Sequence, residues 1–259
     1  MVWNVEKIKG SKFDIRNVKN PVFIEGLPGI GNVGKIAVDF IVEELKAKRV
    51  YSLFSYSMPH SVFVNDKNLI ELPTIEIYHT KVGKQHFLFL CGDIQPIEEV
   101  SSYEFCDTVL DLLEKCGCKE IITTGGIGLQ SVPEKPTVYI TGNSKNLISD
   151  IKKNTNVNDK LYGVVGPIIG VSGILLGLAE KRDIPAAALL AETFGHPMYV
   201  GLLGARATVG VIDKKYGLGI NIKNLDKEIS EMEKEMMKVK EIEKVTKKNM
   251  RSDDLGYIG

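Results

Sequence analysis

The segment from Val22 to Lys35 constrains this chain more than any other. A short apolar run, VFIEG, follows Pro21 and enters Gly26-Leu27-Pro28-Gly29-Ile30-Gly31-Asn32-Val33-Gly34-Lys35, which opens NVGKIAVDFIVEELK. In that last stretch Val33, Ile36, Phe40, Ile41 and Leu45 recur at helical spacing, and Asn32 stands where an N-cap would. A strand that turns through glycines into a helix is the first half of a βαβ unit, so an α/β sheet is expected from here on.

The remaining chain repeats the alternation. VYSLFSYS, SVFV, TIEIYHT and HFLFLCG are apolar or alternating runs, and the short polar connections between the last three predict a local antiparallel stretch. Pro96 is expected to open a helix over PIEEVSSYEFCDTVLDLLEKCG, with Glu98 and Glu99 at its positive end and Gly117 as its stop. EIITTGGIG predicts a strand with a glycine-rich exit, TVYITG a strand, and SKNLISDIKK a short helix. LYGVVGPIIGVSGILLGLAEKR, IPAAALLAETFG and PMYVGLLGARATVGVIDKKYG add strand and helix, strand, and a helix with Pro197 at its first position. Strands alternating with helices of this length imply a three-layer α/β sheet covered on both faces, here one globular domain over residues 1–222.

Leu161 to Ala179 runs 19 residues without a charge, the length of a membrane span. Its five glycines and Pro167 divide it, and the better reading is a buried strand (LYGVV), a Gly-Pro turn and a helix from near Val171. The 33 basic and 33 acidic residues cancel, which gives no support to bulk electrostatic binding of nucleic acid or anionic membrane. Four cysteines are too few for a disulfide scaffold at 259 residues. MVWNVEKIKGSKF carries neither an apolar core segment nor a small-residue cleavage site, so no signal peptide and a cytoplasmic location are expected.

Gly29-x-Gly31-x-x-Gly34 matches the dinucleotide fingerprint, in which glycines let backbone approach a pyrophosphate. That fingerprint requires an acid about 20 residues on, at the end of the next strand, and VYSLFSYS supplies none. The same residues match G-x-x-x-x-G-K, but Ile36 stands where a phosphate loop needs Ser or Thr to hold magnesium. The alternative is a tight strand-to-helix turn. Gly125-Gly126-Ile127-Gly128 and the span from Gly163 to Gly173 follow further strands, so three glycine-rich segments would gather at the carboxyl edge of the sheet. Gly26, Gly29, Gly31, Gly34, Gly125, Gly126 and Gly128 would there line a ligand or anion pocket, or let backbone come close.

No nucleophile with a base accompanies these glycines, and no catalytic residue or cofactor is assigned. His79 and His86 are expected at opposite ends of a hairpin, and Cys116-Gly-Cys118 lacks the second Cys pair or His of a zinc site, so no metal is assigned. Cys91 reads as a buried hydrophobe. Glu192-Thr-Phe-Gly-His196-Pro is either an acid–base pair or a capped turn.

The end of the chain differs. Ile222, Leu225, Ile229, Met232, Met236 and Val239 step by 3, 4, 3, 4 and 3, an apolar seam on an amphipathic helix over residues 223–249. The seam either packs on its own domain or joins copies of the chain. Residues 250–259 form a tail whose close, Leu255, Gly256, Tyr257, Ile258 and Gly259, is either loose or a docking peptide.

FIEGLPGIGNVGKIAVDFIVEEL, YSMPHSVFV, TTGGIG, GVVGPIIGVSGILLGLAEKRDIPAAALLAET and the closing LGYIG together resemble the proteasome assembly chaperone family, in the branch of the second eukaryotic assembly chaperone and its archaeal homologues. The resemblance spans roughly residues 20 to 212 and the tail. It implies a nucleoside phosphorylase-like α/β fold without a catalytic role, and an ATP-independent chaperone that binds proteasome α subunits. It also implies docking through a C-terminal hydrophobic-Tyr-X tail. Tyr257 is third from the end rather than second, and Gly256 rather than an aliphatic precedes it. The competing expectation is a phosphorylase-like or nucleotide-binding enzyme that uses the glycine segments.

Overall fold

A computed structural model describes residues 3–163 and 166–231. The chain divides into two units, Met1–Ile220 and Asn221–Gly259. In chain order the first unit holds β1 (Asn4–Lys7), β2 (Val22–Gly26), α1 (Val33–Glu44), β3 (Lys48–Phe54), β4 (Phe63–Val64), β5 (Ile70–Glu71), β6 (Ile75–Val82) and β7 (Gln85–Gly92). There follow α2 (Glu99–Glu114), β8 (Glu120–Leu129), β9 (Val138–Gly142), α3 (Lys145–Asn154), α4 (Val171–Glu180), β10 (Ala186–Phe194) and α5 (Leu202–Tyr216). In the second unit residues 223–231 are helical.

Eight strands form one mixed sheet in the order β1-β3-β6-β7-β2-β8-β10-β9. The four strands β7, β2, β8 and β10 are mutually parallel, and the flanking pairs are antiparallel. The central strands alternate between two apolar faces. Phe23, Leu88, Leu90, Ile121, Ala188 and Leu190 pack with Phe105 and Val109 of α2 and Leu175 of α4. The intervening Val22, Ile24, Phe87, Phe89, Ile122 and Leu189 are equally buried, on the side taken by α1 and α5. Burying each of these larger side chains contributes about 2 kcal/mol. Helices thus cover both faces, as the strand–helix alternation implied.

Several elements differ from the sequence reading. SVFV does not join the antiparallel stretch: β4 pairs only with β5, in a separate two-stranded sheet, while β6 and β7 form the expected hairpin. Leu161 and Tyr162 are not in a strand, and Tyr162 is fully exposed, because β9 occupies the edge beside β10. Val164 and Val165 of the same run lie outside the described residues. The helix from Val171 forms as expected, and among the described residues no helix is long and apolar enough to cross a membrane. Asn32 is itself left-handed (φ 52°) and makes no cap hydrogen bond through its side chain. Pro96 precedes α2, which starts at Glu99, and α5 starts at Leu202 rather than at Pro197. Gly117, at φ 61°, follows α2 as the expected stop.

The two hairpin histidines are neighbours rather than opposite ends. His79 Nε2 lies 2.9 Å from His86 Nδ1, with the rings stacked, and Phe13 packs on His79 with ring centroids 4.9 Å apart. The hairpin register sets His86 opposite Lys81, two residues from His79 and therefore on the same face. Burial and the adjacent imidazole lower the His79 pKa from 6.5 to about 4. Between those values the unfolded chain takes a proton that the folded chain refuses, so this group costs stability as pH falls from 6.5 to 4. His79→Phe is expected to remove that acid-side loss, read as urea midpoints at pH 6.5 and 4.5. An unchanged difference between the two midpoints would rule this histidine out as its source.

Candidate functional site

Because β7, β2, β8 and β10 are parallel, their carboxyl ends meet at one edge, the place where open α/β sheets form a binding crevice. A cleft of about 580 Å³ opens there, in the size range of ligand pockets. Its walls are the exit loop of β2 (Leu27–Ile30), the upper part of β8 (Thr124–Gly128) and the segment Gly166–Ile169 that leads to α4. Gln95, Ser172 and Leu190 complete it. The glycine-rich segments of the β2 exit and of β8 meet there because the strands are parallel; the third follows no strand of the described sheet and contributes Gly166 as part of the approach to α4.

Two side chains that the sequence reading missed hold the cleft in shape. Glu25 is fully buried on the face shared with α2 and α4. Its carboxylate accepts a hydrogen bond from the Leu27 N–H (2.9 Å) and another from the Ser172 hydroxyl (2.9 Å). Burial raises its pKa from 4.5 to about 7, against the lowering effect of those bonds. Gln95 acts beside it: Nε2 donates to the Pro28 carbonyl (2.5 Å), and Oε1 accepts from the Val171 N–H (3.2 Å). Gly170 caps α4 at φ 86°, and a Cβ there would stand 2.6 Å from Gln95 Oε1. Together these groups tie the β2 exit loop to the first turn of α4. A charged residue inside the otherwise apolar VFIEG was a legible signal for Glu25; Gln95 had none.

The glycines separate into two groups. A Cβ on Gly26 would stand 2.5 Å from the Gly34 carbonyl, and one on Gly34 would stand 2.5 Å from the Thr124 carbonyl. Bare backbone is therefore what lets α1 lie against β2 and β8. Gly31 is left-handed (φ 62°), its carbonyl accepts from the Gly201 N–H (2.8 Å), and Thr193 Oγ1 would lie 2.8 Å from its Cβ. Gly26, Gly31 and Gly34 do not line the cleft; Gly29, Gly125, Gly126 and Gly128 do. Gly125, Gly126 and Gly128 lie within β8 rather than in a loop after it, because β10 continues to pair with them as far as Leu129.

The electrostatics are one-sided. Among the described residues, none of the side chains lining the cleft carries a charge. Lys35, the cation of the glycine motif, is engaged with Asp39 (2.9 Å) and Asp93 (3.7 Å) in a separate hollow of about 300 Å³. Among the described residues no cation lines the cleft, and the carboxyl of Glu25 lies bonded to Ser172. The cleft favours an uncharged and mostly apolar occupant.

The hydroxyls of the cleft are committed inward: Ser172 donates to Glu25, and Thr124 donates to the Glu25 carbonyl (2.8 Å). Glu192 and His196 are held by different partners. Glu192 accepts from the Thr137 N–H (2.8 Å) and the Tyr139 hydroxyl (3.4 Å), while His196 Nδ1 accepts from the Met198 N–H (3.2 Å). Cys91 is buried, as its apolar run implied. Of the C-terminal seam, Ile222, Leu225 and Ile229 fall among the described residues; Met232, Met236 and Val239 lie outside them, as do Leu255, Tyr257, Ile258 and Gly259 of the tail.

Known proteins resemble this arrangement over nearly its whole length. An uncharacterized protein of Methanocaldococcus jannaschii is 30% identical over 265 residues, covering 100% of this chain and 100% of that protein. The crystal structure of Pyrococcus furiosus PbaB, described as an archaeal proteasome activator, is 29% identical with a TM-score of 0.81, covering 92% of this chain and 99% of that one. Pyrococcus furiosus PbaA, described as an archaeal homolog of proteasome-assembly chaperone, shares the fold at 24% identity and a TM-score of 0.76, with 100% of each chain covered. The family model described as the PAC2 family matches residues 23–240, a span that begins at the second residue of β2 and takes in the other strands and helices around the cleft. By that match, the chain belongs to the PAC2 family.

Proposed function

We propose that this chain is a non-catalytic, ATP-independent chaperone or adaptor that binds proteasome α subunits or the assembled α-ring and assists proteasome assembly. The observation that carries the reading is the likeness to PbaB, at 29% identity over 92% of this chain. The uncharged cleft and the separate engagement of Lys35, Glu192 and His196 support it against a phosphate- or nucleotide-dependent enzyme. In this reading the sheet is of the nucleoside phosphorylase-like kind without its chemistry. The protein acts in the cytoplasm as a homo-oligomer joined through the seam of Ile222, Leu225, Ile229, Met232, Met236 and Val239. The tail residues Leu255, Tyr257, Ile258 and Gly259 supply part of the contact, with Tyr257 as an aromatic anchor.

The test is native mass spectrometry of the purified chain with archaeal-type proteasome α subunits and with assembled particles, with and without residues 250–259. A complex that weakens on truncation, and on Tyr257→Ala, is expected. A complex indifferent to truncation would move the contact to the folded body, and no complex with either form would remove the proteasome assignment. Since PbaB is described as an activator, peptide hydrolysis by the mature particle belongs in the same experiment. A rise in hydrolysis on adding this chain, with no effect on subunit assembly, would favour activation over assembly.

A further inference from the structure

Between β3 and β6 the chain leaves the main sheet and forms an arm. Ser55 and Pro73 are buried at its base, and Met58 packs on the core. Every residue from His60 to Leu72 other than Asn65 is exposed, so both sides of the arm face solvent. Its shape is set locally. Asn65 Oδ1 accepts from the Lys67 and Leu69 N–H groups (both 3.0 Å), Asn65 Nδ2 donates to Glu71 Oε1 (2.6 Å), and Asn68 turns left-handed at φ 59°. Phe63 then stands opposite Glu71, and Val64 opposite Ile70. Alternation puts Val64 and Ile70 on one side of the arm, with Val62 and Leu72 two residues from them on the same side. Val62, Val64, Ile70 and Leu72 are 50%, 67%, 72% and 62% exposed.

Two strands with a bare apolar face are marginal in water and need a cover. A cover that the arm always needs must always be at hand, and a second copy of the chain is. The face is aliphatic throughout and carries no charge, so it complements its own image without bringing like charges together. Its four side chains expose roughly 450 Å², the nonpolar share of the about 800 Å² that each partner brings to a stable interface. A lipid surface fits less well, because the tip that would enter first is Asn65-Asp66-Lys67-Asn68, and polar groups are costly to bury. We propose that Val62, Val64, Ile70 and Leu72 pack against the same four residues of a second copy of this chain about a two-fold axis, two arms face to face as a small sandwich. This contact is separate from the C-terminal seam, and it does not rest on the proteasome reading.

The test is native mass spectrometry of the full chain and of two double variants, Val64→Lys with Ile70→Lys and Val64→Glu with Ile70→Glu. Both positions face solvent within one chain, so the body should keep its fold, checked by far-UV circular dichroism. The parent should hold an even number of copies, since the two-fold contact uses every arm in pairs. Each variant alone should pair about a hundredfold more weakly, because like charges meet across the axis, and should fall to a smaller assembly. Mixing the two variants should restore the parent's number of copies, half of each kind, because opposite charges then meet. That repair separates a second copy from any other occupant of the face. Met198→Lys, at an exposed residue outside the arm, should leave the assembly unchanged. A monomeric parent, an odd number of copies, or charge variants that assemble as the parent does would each overturn the proposal. So would a loss that mixing does not repair, which would give the face to a different partner, or an equal loss with Met198→Lys.

Discussion

Gly34→Ala is expected to lower stability by about 3 kcal/mol, a fall of roughly 6–12 °C in Tm for a chain of this size. On a solvent-facing helix the same change would stabilise by about 1 kcal/mol, because alanine is the better helix former. At Gly34 the new methyl group would stand 2.5 Å from the Thr124 carbonyl oxygen and 2.7 Å from Thr124 Oγ1. Thr124 cannot turn away freely, since its hydroxyl is bonded to the Glu25 carbonyl. The helix must therefore lift off β8 and take Val33, Ala37, Val38 and Ile41 part of the way out of the core. Gly29→Ala is the control in the same motif. Gly29 is extended (φ −158°) with nothing within 4 Å of an added Cβ, so a change within about 0.5 kcal/mol is expected there. Thermal unfolding of the two variants checks both statements. Equal stability of Gly34→Ala and the parent would mean that bare backbone contact is not why the motif is glycine-rich.

The second large effect concerns Glu25. Its carboxyl is raised from 4.5 to about 7 by burial, so between those values the folded chain keeps a proton that the unfolded chain releases. Stability from this group is therefore full below pH 4.5, falls as pH rises to 7, and is about 3 kcal/mol lower above that. The His79 contribution has the opposite sign over nearly the same range, so the parent protein shows only the difference between them. Glu25→Gln separates the two. Its amide oxygen can still accept from the Leu27 N–H, and its amide N–H can donate to a rotated Ser172 hydroxyl. At pH 8 this variant should be about 2 kcal/mol more stable than the parent, with the two converging near pH 4.5. Glu25→Ala should instead lose about 2–3 kcal/mol at pH 5, by leaving the Leu27 N–H and the Ser172 hydroxyl without partners. Urea unfolding of all three from pH 4.5 to 8 is the measurement. An alkaline loss retained in Glu25→Gln would assign the titration to another group.

Both effects arise where two readings of one motif competed. As a string, Gly26 to Lys35 serves a pyrophosphate cradle and a close helix–strand contact equally well, since each needs glycine for the same reason: no Cβ. The difference lies in what faces the missing Cβ. At Gly26 and Gly34 it is the protein's own backbone, and Lys35 turns to Asp39 and Asp93. The absent acid in VYSLFSYS and the absent hydroxyl at Ile36 were the legible part of that outcome.

Local rules failed where tertiary competition decided. SVFV and LYGVV have the composition of strands, yet a strand forms only where the sheet has a lane for it. Pairing of β9 with β10 and of β6 with β3 leaves Phe63 and Val64 to pair with β5 apart from the main sheet, and Leu161 and Tyr162 outside any strand. Asn32 and Pro197 have the residue types of helix starts. Asn32 does stand at the N-cap of α1, but the left-handed turn through Gly31 and Asn32 leaves its side chain without a cap bond, and the long approach to Leu202 moves the start of α5 five residues past Pro197.

Fold class, the order of most strands and helices, and the meeting of the β2 exit loop with the β8 glycines at one edge were legible in the chain alone. Hydrophobic periodicity and glycine placement are properties of the chain alone, and they act over a few residues. Packing was needed to stop β2 four residues into its pairing with β8, to make Glu25 and Gln95 clasp the β2 exit loop to α4, and to leave the described lining of the cleft without charge. Those facts depend on which groups from distant segments become neighbours. Strand register, burial and hydrogen-bond partners are settled by packing across 67 to 147 positions of sequence, beyond the reach of any local pattern.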